Sequence, residues 1–340
     1  MLTKWDYSPR TEGLRLLHQG HQIATGFFRL NGFIVVPYGS VPPSEHVVTQ
    51  PDLPYLSIPR FWERVSRLNI NLYPDIVISA PADLKSQAVK LLATSPLPAP
   101  DMTKLQSLWA KHESRILKEI YKLIPHTQNA IKSITIWPTN FGTNCSFTRC
   151  YPNPAGHHIA IWLRADQGIA AIVEAILTSL TRDDVYEHLN GLWAESEIIV
   201  DWLLAYSPLA SLIKKFDPNL DSVLTIKSTR EKQQASLVEK SETFLRKIGA
   251  PVVDLTSIRQ IDTSQFSPRE KQIFELLLAK SPHLVSVDEI GDLLFGDNPD
   301  AFSLYAIAKT IQRLRDKLES TGISGSFIQT KRGEGYLLAN

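Results

Sequence analysis

The 340 residues are 43% apolar and 21% charged, with a formal charge of +1 at pH 7. A chain of this length can bury two cores, and its charge balance excludes a globally basic coat, so any cationic surface has to be local. The two cysteines, Cys145 and Cys150, exclude a disulfide framework. With His157 and His158 nearby they still lack the usual ligand spacing of structural zinc, so neither a metal nor another cofactor is expected.

The N-terminal stretch MLTKWDYSPRTEGLRLL holds no uninterrupted apolar segment of a secretory signal. No apolar run approaches the ~20 residues needed to span a bilayer. A cytoplasmic protein with no membrane partner is expected.

In chain order, residues Gly20 to Gly39 form two β-rich runs meeting at Leu30-Asn31-Gly32, a hairpin signal. VPPSEHVVTQPDLPYLSIP and TSPLPAP predict surface loops. Asp75 to Ser79 predicts a core strand. Asp101 to Ile124 predicts an amphipathic helix through Leu105, Leu108, Ile116, Ile120 and Leu123. Ile134 to Leu163 alternates and turns like a small antiparallel sheet. Helices are predicted over Gln167 to Thr181, about Val185 to Tyr206, and Ser228 to Ile248. Gly249-Ala250-Pro251 then marks a boundary. The expected organisation is an α+β domain over 1–225, a linker helix over 226–250 and a separate domain over 251–340. Leu237, Phe244, Leu245 and Ile248 are too few apolar positions to specify a coiled coil, although a homodimer through the linker stays open.

The C-terminal third is the most specific part of the sequence. Ser267-Pro268-Arg269-Glu270 is a capping box with proline at the first helical position. Ser286 opens a second helix that Gly296 closes. A third helix begins near Ser303, with Ile307, Ile311, Leu314 and Leu318 on its apolar face. Its other face carries Lys309, Thr310, Gln312, Arg313 and Lys317. A closing hairpin, IQTKRGEGYLL, follows. Three helices and a hairpin predict a winged helix-turn-helix.

The stretches FSPREKQIFELLLAKSPHLVSVDEIGDLLFG and AIAKTIQRLRDKLES…SFIQTKRGEGYLL resemble the OmpR/PhoB-type winged helix, the effector domain of many bacterial response regulators. That resemblance implies a third helix in the major groove of double-stranded DNA and a hairpin wing at the adjacent minor groove and backbone. It implies helix contacts at Lys309, Thr310, Gln312 and Arg313, a phosphate contact at Arg315, and wing contacts at Thr330 and Arg332 beside Lys331. Tyr305-Ala306-Ile307-Ala308 departs from the family, where Arg-Thr followed by Val-Asp is frequent, so no relative's site preference transfers. Charge agrees with a DNA face: Ser303 to Tyr336 has six bases against three acids, while Asp288 to Asp300 has five acids and no base. The bland alternative is a winged helix that binds protein.

The N-terminal region is not a receiver domain. In YPDIVISAPADLK the acceptor aspartate's position holds Ala80, so histidine-kinase phosphorylation is not expected. The order TIWPTNFGTNCSF, HHIAIWLR, AAIVEAILTSLTR, LWAESEIIVDWLL is similar to a gluzincin-type zinc metallopeptidase. Glu197 and Asp201 match that family's Glu-x-x-x-Asp. Thr178 to Arg182 stands where His-Glu-x-x-His belongs, so the resemblance implies an inactive, zincin-like domain with no catalytic residue. Otherwise this is a helical core whose Glu197 and Asp201 face solvent or pair with Arg164 or Arg182. The expected function is transcription regulation, with an N-terminal domain that senses a small molecule or a protein. A hydrolase, or a protein-interaction module, regulated through its winged helix is the alternative.

Overall fold

A computed structural model describes residues 2–40, 47–68, 80–128, 130–143, 145–148, 157–185, 189, 191, 193–217, 235–296, 298 and 302–339. In chain order its elements are β1 (Thr3–Trp5), α1 (Pro9–Ala24), α2 (Phe27–Leu30), β2 (Ile34–Pro37), β3 (Val47–Gln50), α3 (Phe61–Ser66), α4 (Ala82–Ala93) and α5 (Thr103–Leu123). Then come β4 (Ile131–Thr139), β5 (Cys145–Thr148), β6 (His157–Arg164), α6 (Ile169–Asp183), α7 (Trp193–Tyr206), α8 (Pro208–Ile213) and α9 (Ala235–Lys247). The chain finishes with α10 (Leu255–Arg259), α11 (Pro268–Lys280), β7 (Val285–Ser286), α12 (Val287–Phe295), α13 (Leu304–Thr321), β8 (Ile328–Lys331) and β9 (Gly335–Leu338). The fold is α+β. Two compact units divide it: Met1–Gln19, Gly32–Pro59 and Ile70–Gly249 in one, and Gly20–Asn31, Arg60–Asn69 and Ala250–Asn340 in the other.

The first unit is built on a sheet of order β1-β4-β6-β5. β4 runs parallel to both β1 and β6, and only β5 is antiparallel to β6. The expected small antiparallel sheet is thereby corrected. β6 is buried from Ile159 through Arg164, as a strand covered on both faces must be. Its alternate residues serve two clusters. Ile159, Ile161 and Leu163 join Trp109, Ile116 and Ile120 of α5 and Ile172 and Ile176 of α6. Ala160 and Trp162 join Trp137 and Leu14 of α1 on the other face.

The run Gly20 to Gly39 is not a hairpin. α1 extends through Ala24, α2 follows, and β2 pairs in parallel with β3 instead. The Asn-Gly signal ends a helix: Asn31 Nδ2 donates to Phe27 O at 2.9 Å, and Gly32 takes φ +72° just beyond. Both jobs favour the same residues, because both place backbone at positive φ. The strand expected over Asp75 to Ser79 lies outside the described residues, as does the linker helix before Ala235. The described part of that helix, α9, sets Leu237 and Val238 against Ile34, Val36 and Val47, and Ser241 Oγ accepts from Val35 N–H at 3.1 Å. Glu197 and Asp201 of α7 are buried, 6% and 5% exposed, rather than solvent-facing.

The second unit holds the three C-terminal helices α11, α12 and α13 and a sheet of order β7-β9-β8. Ile273, Phe274, Leu277, Ile307, Ile311, Leu314, Tyr336 and Leu338 make its centre, with Leu30 packed against it. Residues distant in sequence complete it. Ser324 N–H donates to Thr25 O at 3.0 Å, and Arg29 Nη1 donates to Val253 O at 2.8 Å. Gly26 sits at φ +80°, where a Cβ would come within 3.2 Å of Val253 and 3.3 Å of Phe327.

Candidate nucleic-acid interface

Each of the three C-terminal helices α11, α12 and α13 starts on a hydroxyl cap. Ser267 with Glu270, and Ser286 with Glu289, form reciprocal capping boxes, and Ser303 accepts from Ala306 N–H. These caps satisfy amide donors that would otherwise be left over at helix starts. Gly322, at φ +87°, ends α13. The third helix is thus fixed at both ends, with Ile307, Ile311, Leu314 and Leu318 buried beneath it.

The opposite face of α13 is open. Lys309, Gln312, Arg313 and Asp316 are exposed, and Thr310 is half-buried with its hydroxyl on Ala306 O at 2.8 Å. Gln312 Nε2 donates to Asp316 Oδ1 at 3.0 Å. Lys309 Nζ stands 5.9 Å from the centre of the Tyr305 ring.

Two cations of α13 behave differently. Arg315 is 5% exposed. Its Nε and Nη2 donate to Ile328 O at 3.0 and 2.9 Å, and Nη2 also donates to Thr330 Oγ1 at 2.8 Å. The guanidinium expected at a phosphate therefore clamps helix to wing. Lys317 donates to Gln265 O at 2.6 Å, pairs with the Glu270 carboxylate, and lies 5.6 Å from the Phe266 ring centre. Burial alone would raise the Glu270 carboxyl, but the Lys317 ammonium and the Ser267 donors outweigh it and hold it below the usual carboxylate value. Lys317, read from sequence as part of the polar DNA face, belongs to the helix packing.

The wing is a two-stranded hairpin, with Thr330 opposite Tyr336 and Lys331 opposite Gly335. Glu334 N–H donates to Lys331 O at 2.9 Å to close the turn. Lys331, Arg332 and Glu334 are exposed at the tip. Gly335 has φ +155°, and a Cβ there would lie 2.0 Å from Val285 O, so no other residue lets β9 lie this close to β7. Tyr336 packs into the core at 6% exposure. The structure thus brings Lys309, Gln312 and Arg313 onto one helix face and Lys331 and Arg332 onto a hairpin tied to that helix, with Thr330 in the tie. Sequence reasoning passed over Leu304 and Tyr305, 61% and 73% exposed, which stand at the start of that face. The signal for Tyr305 was the family departure that begins there; Leu304 had none.

A second group of polar residues lies inside the first unit, on one side of α1. Glu12, Arg15, His18 and Gln19 are all buried. Burial pushes the Glu12 carboxyl up to about 7, against the Thr139 hydroxyl, the Asn140 N–H and the Arg15 charge. Arg15 Nη2 donates to Thr143 Oγ1 at 3.1 Å, and His18 lies against Trp162 with ring centres 5.1 Å apart. Gln19 is 0% exposed, and among the described residues neither its amide oxygen nor its nitrogen has a hydrogen-bond partner.

The zincin-like positions carry other chemistry. Thr178, Ser179 and Thr181 donate their hydroxyls to the carbonyls of Glu174, Ala175 and Leu177, four residues back. Among the described residues, no group of three or more His, Cys, Asp or Glu is placed to hold a metal. Among them too, no helix is long and apolar enough to cross a membrane.

Capped helices, an exposed polar helix face and a hairpin clamped to that helix have the form of a winged helix. Residues 262–338 match the family described as "Transcriptional regulatory protein, C terminal". That match makes this part of the chain similar to the OmpR/PhoB-type DNA-binding domain of transcription regulators, and it supports a DNA-binding regulator. No curated protein and no solved structure matches the chain.

Proposed function

We propose that the protein is a sequence-specific regulator of transcription that sets α13 in the major groove and the β8–β9 wing on the adjacent groove and backbone. One observation carries this reading: the exposed Lys309, Gln312 and Arg313 share a helix face, and Arg315 ties that helix to a hairpin bearing exposed Lys331 and Arg332. Helix side chains at base edges specify sequence, and wing cations at phosphates add affinity and register. Thr310 lines the same helix face. Arg315 and Thr330 act as wing-positioning residues. The protein works in the cytoplasm.

The first unit serves as the sensor, taking a small molecule or a protein partner. The buried polar group around α1 supports this, because a fully buried, unpartnered amide such as Gln19 is rare in folded proteins and fits a bound polar molecule or water. An inactive zincin-like fold for the first unit rests on the sequence resemblance alone, with Glu197 and Asp201 falling on α7. The hydrolase alternative is disfavoured, since Thr178 to Arg182 contributes no zinc ligand and no base to activate water. The apolar face of α9 is already used against β2 and β3, so self-association through that face is disfavoured too.

Selection from a random duplex pool with the full-length protein tests the reading. A short enriched motif whose affinity falls steeply with salt is expected. Absence of any motif, with salt-insensitive binding, would replace DNA with a protein partner.

A further inference from the structure

The start of the recognition helix carries apolar surface that the second core does not use. Phe302, just before it, packs edge-on against Phe295 with ring centres 6.2 Å apart. Tyr305 and Leu304 instead stand 73% and 61% exposed. At 3.6 residues per turn, Tyr305, Lys309, Gln312 and Asp316 follow one line along α13, with Arg313 beside it. All five are exposed. The Lys309 ammonium, 5.9 Å from the ring centre, joins the aromatic to the cationic part of the same face. An isolated exposed tyrosine needs no explanation. This one leads the helix whose N-terminal residues meet base edges in this class of domain.

A T·A pair presents a methyl group in the major groove beside its polar edge, and apolar side chains read it by contact. We propose that Tyr305, flanked by Leu304, reads the C5-methyl of thymine at the base pairs facing the start of α13. The partner chemistry is thus duplex DNA with a thymine at that end of the bound site. The proposal rests on the DNA-binding reading above and adds to it a base preference. It also gives the family departure at Tyr305 a role: a polar or cationic reader is replaced by an apolar one.

The test uses the full-length protein and the duplex it selects. Each thymine of the enriched motif is replaced in turn by deoxyuridine, which removes only the methyl. At one or two adjacent positions this should weaken binding about fourfold per methyl. The Tyr305→Ala variant should bind the thymine duplex more weakly by a similar factor, show no further loss with uracil, and keep the wild-type salt slope. Tyr305→Phe should retain the uracil effect, since the ring makes the contact. A motif with no thymine at that end, or a uracil effect that persists in Tyr305→Ala, overturns methyl reading while leaving DNA binding intact. Failure to enrich any motif, with binding insensitive to salt, overturns the DNA-binding reading itself, and this inference with it.

Discussion

Arg315 Nη2 and Thr330 Oγ1 stand 2.8 Å apart, and the same guanidinium holds Ile328 O from two of its nitrogens. One side chain therefore ties α13 to the wing strand β8, beside the core that the two share. Arg315→Ala leaves the Ile328 carbonyl without these donors and should lower the stability of the second unit by about 2–3 kcal/mol, the scale of hydrogen bonds to a charged group. Arg315→Lys should recover only part of it, because a single ammonium cannot reproduce the planar fork. Chemical denaturation of the three proteins measures this. Equal midpoints would show that the clamp contributes nothing.

Lys317 and Lys331 look alike in the sequence and differ in the structure. Lys317 pairs with Glu270, a residue 3% exposed, whereas Lys331 is open at the wing tip. Removing Lys317 strands a buried carboxylate, so Lys317→Ala should destabilise by about 1–3 kcal/mol, discounted because the lysine is partly solvated. Lys331→Ala should leave stability within about 0.5 kcal/mol. Thermal unfolding of both variants separates them, and the opposite ranking would contradict the assignment.

His21 lies in the second unit with Nδ1 3.0 Å from Val65 O and Nε2 3.9 Å from Glu319 Oε2. Burial pushes its imidazole down to about 4, only partly offset by the Val65 carbonyl, so it is neutral at pH 7 and its approach to Glu319 is not an ion pair there. The unfolded chain takes up this proton first as pH falls. Stability should therefore drop between about pH 6.5 and 4, by up to roughly 3 kcal/mol from this group. Urea titrations at several pH values, on wild type and His21→Asn, should show a shallower acid loss in the variant. Parallel profiles would remove His21 from the account.

Glu12 has the opposite sign. Its folded carboxyl is raised to about 7, chiefly by burial. The folded state holds this proton longer than the unfolded chain, so the group's favourable contribution is lost as pH rises from about 4.5 to 7. Glu12→Gln should flatten that loss and make the first unit more stable than wild type above pH 7. A variant less stable at every pH would show that the Thr139 contact at 2.9 Å outweighs desolvation.

Much of the second unit was legible because its signals are local. The capping boxes of Ser267 with Glu270 and Ser286 with Glu289 act within a few residues, and local rules read them. The first unit was less legible. Alternation identified β4 and β6 as strands, but pairing direction depends on which distant segment lies alongside, and nothing in ITIWP or HHIAIWL encodes that. Asn31-Gly32 misled because one backbone requirement serves two motifs. Arg315 was expected at a phosphate from the family resemblance; its partners, Ile328 and Thr330, are neighbours only in the folded hairpin, which no local rule reads.

The central claim is that α13 reads bases while the wing grips phosphate, and the binding of Arg313→Ala and Lys331→Ala to selected and random duplexes across a salt series tests it most directly. Arg313→Ala should weaken the selected duplex by about 1–3 kcal/mol and the random one little. Lys331→Ala should weaken both alike and reduce the salt slope by about one. Two variants that bind every duplex as wild type does would contradict the assigned face.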